Sequence, residues 1–149
     1  MRILVISDSH GNTRNIERAV ESQPEANIII HLGDGADDIV DLEFVYRDKQ
    51  FYQVAGNCDW GSSLPLEGEL KVADKTIFFV HGHEYRVKTN LQQIKMEARK
   101  RNADIVLFGH THLPITEYDD ELYLLNPGSL QYADGTYGII DITDAGISV

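Results

Sequence analysis

The chain predicts an α/β fold with two stacked sheets and helices outside, on three observations. Apolar, β-branched runs alternate with amphipathic segments in the first half, a βαβαβ pattern that argues for a parallel sheet with right-handed crossovers. The second half adds many short strand-like runs but only one further helix. Five apolar runs end directly in Asp, Asn or His, at the sheet edge where open α/β folds bind ligands.

In chain order, strand 2–7 precedes a helix near 13–22, with Ile16, Ala19 and Val20 on one apolar face. Strand 27–32 precedes a helix near 37–46, where Ile39, Leu42 and Tyr46 share a side and Asp37, Asp38, Asp41 and Glu43 form a solvated face. Strand 50–55 ends at Gly56. Segments 66–73 and 76–81 read as a hairpin joined at Asp74-Lys75. A helix near 90–101 follows. Thr89 and Gln92 have capping-box spacing, Leu91, Ile94 and Ala98 make its stripe, and Lys95, Arg99, Lys100 and Arg101 make a solvated basic end. Strand 103–108 is followed by strands near 114–118, 121–125, 136–142 and 147–149, read as antiparallel.

The length of 149 residues suits one domain, 1–149, with a single sizeable core. No repeat, linker or low-complexity tract interrupts it. No apolar run reaches the length of a membrane span and the first residues lack a signal-peptide shape, so no membrane partner is expected. The single cysteine, Cys58, excludes an internal disulfide; a cytoplasmic location is the expectation. A formal net charge of −11 repels nucleic-acid phosphates at long range. Strong non-specific nucleic-acid binding is therefore not expected, and a small phosphate ester suits the chain better than a long duplex. A homo-oligomer is left open.

The chemistry is concentrated where the runs stop. ILVIS leads to Asp8 and His10, NIIIHLG to Asp34, FYQVAG to Asn57, IFFV to His81, and IVLFG to His110 and His112. Asp8 and His10 are two apart, as are His110 and His112, so on extended backbone each pair shares a face and can hold one ion. Glycines at 33, 56, 82 and 109 permit sharp turns beside the donors. Two carboxylates, one amide oxygen and four imidazoles, with no thiolate, suit Mn, Fe, Co, Ni or Zn better than Ca or a structural zinc site. Seven donors exceed one tetrahedral zinc but suffice for two ions if a carboxylate bridges. Paired ions about 3.5–4 Å apart recur in phosphoryl chemistry.

Asp8-Ser9-His10, Gly33-Asp34, Gly56-Asn57, His81-Gly82-His83 and Gly109-His110-Thr111-His112 together resemble the ordered motifs of the calcineurin-like metallophosphoesterases. The likeness runs from residue 5 to about residue 130 and includes Asn126-Pro127-Gly128-Ser129. The short length and the Gly-Asn-Cys-Asp form resemble the small bacterial and archaeal phosphodiesterase branch. The resemblance implies a four-layer α/β/β/α sandwich of two stacked mixed sheets, the metallo-dependent phosphatase-like fold. It implies Asp8, His10 and His112 on a first ion, Asn57, His81 and His110 on a second, and Asp34 between them. Manganese is the expected metal, with Ni, Fe, Co and Zn as alternatives. A hydroxide between the ions is the implied nucleophile, and a phosphodiesterase the implied activity.

One departure carries weight. Many family members place a histidine after the motif asparagine, as general acid or transition-state stabiliser; here Cys58 stands there. A neutral thiol is a poor substitute for an imidazolium. His83 and Asn57 are the remaining catalytic candidates. Asn12, Asn57 and His83 are the substrate-binding candidates, with capping of the first helix the favoured reading of Asn12. His31 reads as a hydrogen-bonded core histidine, Cys58 as a small buried residue, and Trp60 as a packing or subunit contact rather than a stacking platform. The competing functions are a non-catalytic scaffold of the same fold, and a phosphomonoesterase or protein phosphatase. The intact donor set argues against the first, the missing histidine and short chain against the second.

Overall fold

The computed structural model describes residues 1–149. Its strands are β1 (Arg2–Ile6), β2 (Ala26–His31), β3 (Gln50–Gln53), β4 (Glu67–Val72), β5 (Lys75–Val80), β6 (Ile105–Leu107), β7 (Ile115–Asp119), β8 (Leu122–Asn126), β9 (Gly138–Thr143) and β10 (Gly146–Ser148). Its helices are α1 (Thr13–Ser22), α2 (Val40–Val45) and α3 (Gln92–Lys100), with a single 3₁₀ turn at His83–Tyr85. No helix is long and apolar enough to cross a membrane.

The strands form two five-stranded sheets, in the orders β10-β9-β1-β2-β3 and β4-β5-β6-β8-β7. Both are mixed. In the first, β1, β2 and β3 run parallel while β9 is antiparallel to β1 and β10. In the second, β5, β6 and β8 run parallel, flanked by antiparallel β4 and β7. The expectation that every strand after β6 is antiparallel therefore fails at β8. The β7–β8 hairpin turns the chain so that β8 returns parallel beside β6.

The pleat sorts side chains into layers. Ile3 and Val5 of β1 point between the sheets and meet Ile77, Phe79, Ile105 and Leu107 of the second sheet. Leu4 and Ile6, one residue out of phase, face the other way against Ile16, Ala19 and Val20 of α1 and Leu42 of α2. Phe78, Val80, Val106 and Phe108 likewise face Ile94 and Ala98 of α3. Strands buried on both faces read as continuous apolar runs, and the result is α/β/β/α layering.

Local differences have local causes. The α2 helix is six residues, shorter than the 37–46 expected. Asp37 and Asp38 precede it, and Asp38 bonds to the loop after β1. The capping box at Thr89 does not form; Asn90 Oδ1 accepts the Gln92 N–H instead, at 3.0 Å. The β4–β5 hairpin turns on Ala73-Asp74, both at positive φ, as a tight two-residue turn requires. The basic end of α3 is tied down: Lys95 pairs with Glu117 at 2.5 Å, and Arg101 bonds Glu67 and Glu97.

Candidate metal centre

The parallel strands β1, β2, β3, β5 and β6 end along one rim, and all seven donors lie in the loops just beyond. The Asp8, His10 and His112 ligand atoms lie within 4.8 Å of one another, as do those of Asp34, His81 and His110. Asn57 Oδ1 joins the second set, 3.0 Å from His81 Nε2. Asp8 and His81 are wholly buried and Asp34 nearly so, while Asn57 lies open to solvent.

Local backbone brings them together differently from the extended pairs expected. Asp8, His10, Asp34, His110 and His112 all have positive φ, between 44° and 67°. Asp and His tolerate the left-handed region better than most residues, yet it still costs on the order of 1–2 kcal/mol each. Loop crowding is severe. Gly33 is itself at φ 99°, and a Cβ there would lie 2.6 Å from the Gly56 nitrogen. A Cβ on Gly109 would lie 2.7 Å from an Asp8 carboxylate oxygen.

Protein hydrogen bonds leave one face of each donor open. Ser7 Oγ donates to Asp8 Oδ2 at 2.5 Å and the His110 N–H donates to the same oxygen at 3.1 Å, leaving Oδ1 turned to His112 Nε2 at 3.0 Å. The Cys58 N–H donates to Asp34 Oδ1 at 2.8 Å. Asp34 Oδ2 then lies 3.7 Å from His10 Nε2 and 3.3 Å from His81 Nε2, between the two sets. His81 Nδ1 donates to the Leu32 carbonyl at 2.8 Å, which fixes the tautomer and leaves Nε2 inward. Around that nitrogen stand Asn57 Oδ1, Asp34 Oδ2 and His110 Nδ1, the last at 3.2 Å. Two oxygens and two imidazole nitrogens facing one point repel unless a proton or cation sits among them. This donor set fits a divalent metal.

Electrostatics agree. Burial alone would raise the Asp34 carboxyl, but the His81 imidazole and the Cys58 N–H outweigh it and hold it well below the usual range. Burial would lower His81, yet Asp34 and Asp8 raise it above its ordinary value. Burial, helped by the neighbouring His81, depresses His110 to about 4. Its imidazole is neutral at pH 7, the form that binds metal.

A supporting ring of residues holds the donors. Asp59 accepts four backbone N–H groups: Asp34 and Gly56 on Oδ2, at 2.8 and 2.7 Å, and Gly35 and Ala36 on Oδ1, both at 2.9 Å. Burial would raise its pKa, but these four donors hold it below the ordinary carboxylate value. His31 is wholly buried and relays a chain of bonds. The Gly33 N–H donates to Nδ1, so Nε2–H donates to Ser9 Oγ, which donates to Asp38 Oδ2. Ser129 Oγ donates to the Asp8 carbonyl at 2.8 Å, and Asn126 Nδ2 donates to the Gly109 carbonyl and Thr111 Oγ1, both at 2.9 Å.

Other expectations sort accordingly. His31 is the core histidine expected. Asp38 is an acceptor in the site's supporting ring, not part of a solvated helix face. Asn12 Oδ1 caps α1 through the Asn15 N–H at 3.1 Å, and its Nδ2 donates to the Gln131 carbonyl at 3.0 Å, so its polar atoms are engaged within the fold. Cys58 is exposed, not buried: its N–H donates to Asp34 Oδ1, and its Sγ lies within 4.8 Å of the His10 and Asp34 ligand atoms, at the edge of the centre. Trp60 is 91 % exposed and does not pack within the chain. His83 lies beside the centre, its ring 5.4 Å from His81 and 6.1 Å from His110, and its buried Nδ1 has no hydrogen-bond partner. The supporting roles of Ser7, Asp38, Asp59, Asn126 and Ser129 escape sequence reasoning. The signal available was position: Ser7, Asp38 and Asp59 are polar and lie within four residues of a donor, and Asn126 and Ser129 belong to the Asn126-Pro127-Gly128-Ser129 motif.

Known proteins resemble the chain in sequence and fold. The family model of the calcineurin-like phosphoesterase superfamily domain matches residues 1–145. A Bacillus subtilis protein named "Probable metallophosphoesterase YsnB" is 32% identical over 133 residues, covering 88% of this chain and 76% of that protein. Phosphodiesterase YfcE of Escherichia coli is 25% identical over 169 residues, covering 95% of this chain and 88% of that one. The solved YfcE structure superposes with a TM-score of 0.72 at 26% identity, over 95% and 88% of the two chains. A zinc complex of Vps29 from Entamoeba histolytica superposes with a TM-score of 0.78 at 22% identity, over 99% and 89%, which shows the shared fold alone.

Proposed function

The chain belongs to the calcineurin-like phosphoesterase superfamily, and from that premise we propose that it is a phosphodiesterase using two divalent metal ions, built as one domain over residues 1–149. The observation that carries the reading is Asp34 Oδ2, placed between His10 Nε2 at 3.7 Å and His81 Nε2 at 3.3 Å. On this reading Asp8, His10 and His112 would hold one ion, Asn57, His81 and His110 would hold the other, and Asp34 would serve both. Manganese is the proposed metal, because the donors are oxygen and imidazole nitrogen without thiolate.

Two bound ions would lower the pKa of a water and offset charge on the phosphate. The chain's own groups do the rest. Ser7 and the His110 N–H hold Asp8 in one orientation, the Leu32 carbonyl does so for His81, and Asp59 fixes the loops that carry Asp34 and Asn57. Asn57 and His83, at the edge of the centre, are proposed to contact the phosphate oxygens. Burial and the nearby His81 lower His83's pKa, so it acts as a neutral hydrogen-bond donor rather than a strong acid. With Cys58 in place of a histidine, no residue is well placed to protonate the leaving group. Diesters with good leaving groups are therefore the proposed substrates, and the net charge of −11 favours small ones over long nucleic acids. The name of YfcE, a phosphodiesterase, supports the diester preference.

The test is metal-free protein reloaded with single metals and assayed on mono- and diesters. Mn²⁺-restored diester hydrolysis is expected. Stoichiometric binding of two ions without turnover of any phosphoester would favour a scaffold instead.

A further inference from the structure

A cleft of about 650 Å³ opens outward from His10 and Asp34. That volume suits a drug-sized organic group, far more than a phosphate needs. Trp60, the chain's only tryptophan, lines it and is 91 % exposed; Val40, 46 % exposed, lines it too. An indole left almost wholly in water at the mouth of a cleft is a large apolar surface without a partner within the chain. None of the lining residues is Lys or Arg. Asp37 and Asp38 are among them, and Asp37 is exposed. Once ions offset Asp34, and with Asp59 engaged by four backbone N–H groups, the remainder of the cleft is aromatic and negatively charged. It offers no cationic side chain to pair a second phosphate, only the neutral donors Gln53, Ser62 and Ser63.

We propose that this cleft binds a flat, uncharged aromatic substituent of the phosphodiester, an aryl ring or nucleobase stacked on Trp60, and disfavours substrates that carry a further anion on that side. This rests on the phosphoesterase reading above and makes Trp60 a specificity residue for it. Stacking supplies affinity without sequence or shape demands beyond a π-face, and Asp37 supplies the discrimination by charge.

Calorimetric titration of the Mn²⁺-loaded protein tests it with four probes: methyl phosphate, phenyl phosphate, 4-carboxyphenyl phosphate and adenosine 5′-monophosphate. Phenyl phosphate should bind roughly tenfold tighter than methyl phosphate. The adenosine probe should match it if any ring suffices, or exceed it if a nucleobase is the natural occupant. The 4-carboxyphenyl compound should bind about threefold more weakly than the phenyl one, and Asp37→Asn should recover that loss. Trp60→Ala should erase the difference between phenyl and methyl compounds while leaving methyl phosphate affinity unchanged; Trp60→Phe should keep most of it. Tryptophan fluorescence should change with the ring compounds and not with methyl phosphate. Equal affinity for phenyl and methyl phosphate, or a difference that survives in Trp60→Ala, overturns the inference alone. Failure of all four phosphates to bind overturns the phosphoesterase reading and this inference with it.

Discussion

The Asp59 carboxylate accepts the Asp34 N–H at 2.8 Å, and the same oxygen accepts the Gly56 N–H at 2.7 Å. One side chain thus ties the loop after β2 to the loop after β3. Asp59→Asn keeps the volume but turns an NH₂ toward donors. The variant should lose about 2–4 kcal/mol of stability and bind Mn²⁺ at least about tenfold more weakly. Denaturant unfolding and metal titration measure both. Unchanged values would show that Asp34 is oriented by something else.

Asp34→Asn should reduce Mn²⁺-dependent diester hydrolysis by at least about a hundredfold, more than His31→Ala does. Asp34 faces both donor sets, whereas His31 acts through Ser9 and the Gly33 N–H. His31→Ala should instead show its main loss in unfolding stability. Equal catalytic losses in two equally folded proteins would contradict this division of labour.

Stability should fall with acid in a way that reports His31. Burial, outweighing the nearby carboxylates, lowers its pKa from 6.5 to about 4. The unfolded chain therefore binds more protons between those values. Stability from this group is complete above pH 6.5 and lost as pH falls toward 4, by about 3 kcal/mol. Unfolding of metal-free wild type and His31→Gln, compared across this window, should show a flatter dependence in the variant. Parallel curves would exclude His31 as the source.

Rates should track leaving-group acidity. Aryl or nucleotide diesters should be cleaved faster than simple alkyl monoesters, because Cys58 offers no imidazolium. Its exposed position leaves room for Cys58→His, which should narrow the gap. A rate independent of leaving-group pKa, with chemistry rate-limiting, would defeat the idea.

Chelation should abolish turnover while circular dichroism stays near native, since the three apolar layers include none of the seven donors. Returning Mn²⁺ should restore activity and raise the melting temperature by mass action. His81, whose pKa is raised by Asp34 and Asp8 against burial, holds a proton more tightly than a free imidazole. An incoming ion must displace it, so Mn²⁺ affinity should begin to decline at a higher pH than it would for an ordinary imidazole ligand. Full turnover in verified metal-free protein would exclude the two-metal mechanism.

The sandwich and the donors were legible because both rest on short-range pattern. Period-2 burial of Ile3, Leu4, Val5 and Ile6 assigns faces, and strand ends place Asp8, Asp34 and His81 on one rim. Asp59 and Ser129 stand in motifs of the family likeness, but their roles were not legible, because their work is hydrogen bonding to backbone reached through the fold. Ser129 meets the Asp8 carbonyl across 121 positions of chain. The same holds for β8, whose parallel pairing with β6 depends on where β7 sends the chain. Packing of Trp60 within the chain does not occur; an apolar side chain beside a turn reads as packed until its surroundings are known.

Five of the seven donors stand in left-handed backbone, which glycine would occupy without strain. Replacing His10 or His112 with glycine would relax that conformation and relieve the crowding of lone pairs that metal would otherwise settle. Heat tolerance and metal affinity are thus set in opposition at the same positions. Laboratory evolution for thermal survival alone, run in chelator, should accumulate losses at these residues. The same selection run in Mn²⁺ should retain them, so that ion supply during breeding decides whether a hardened descendant is still an enzyme.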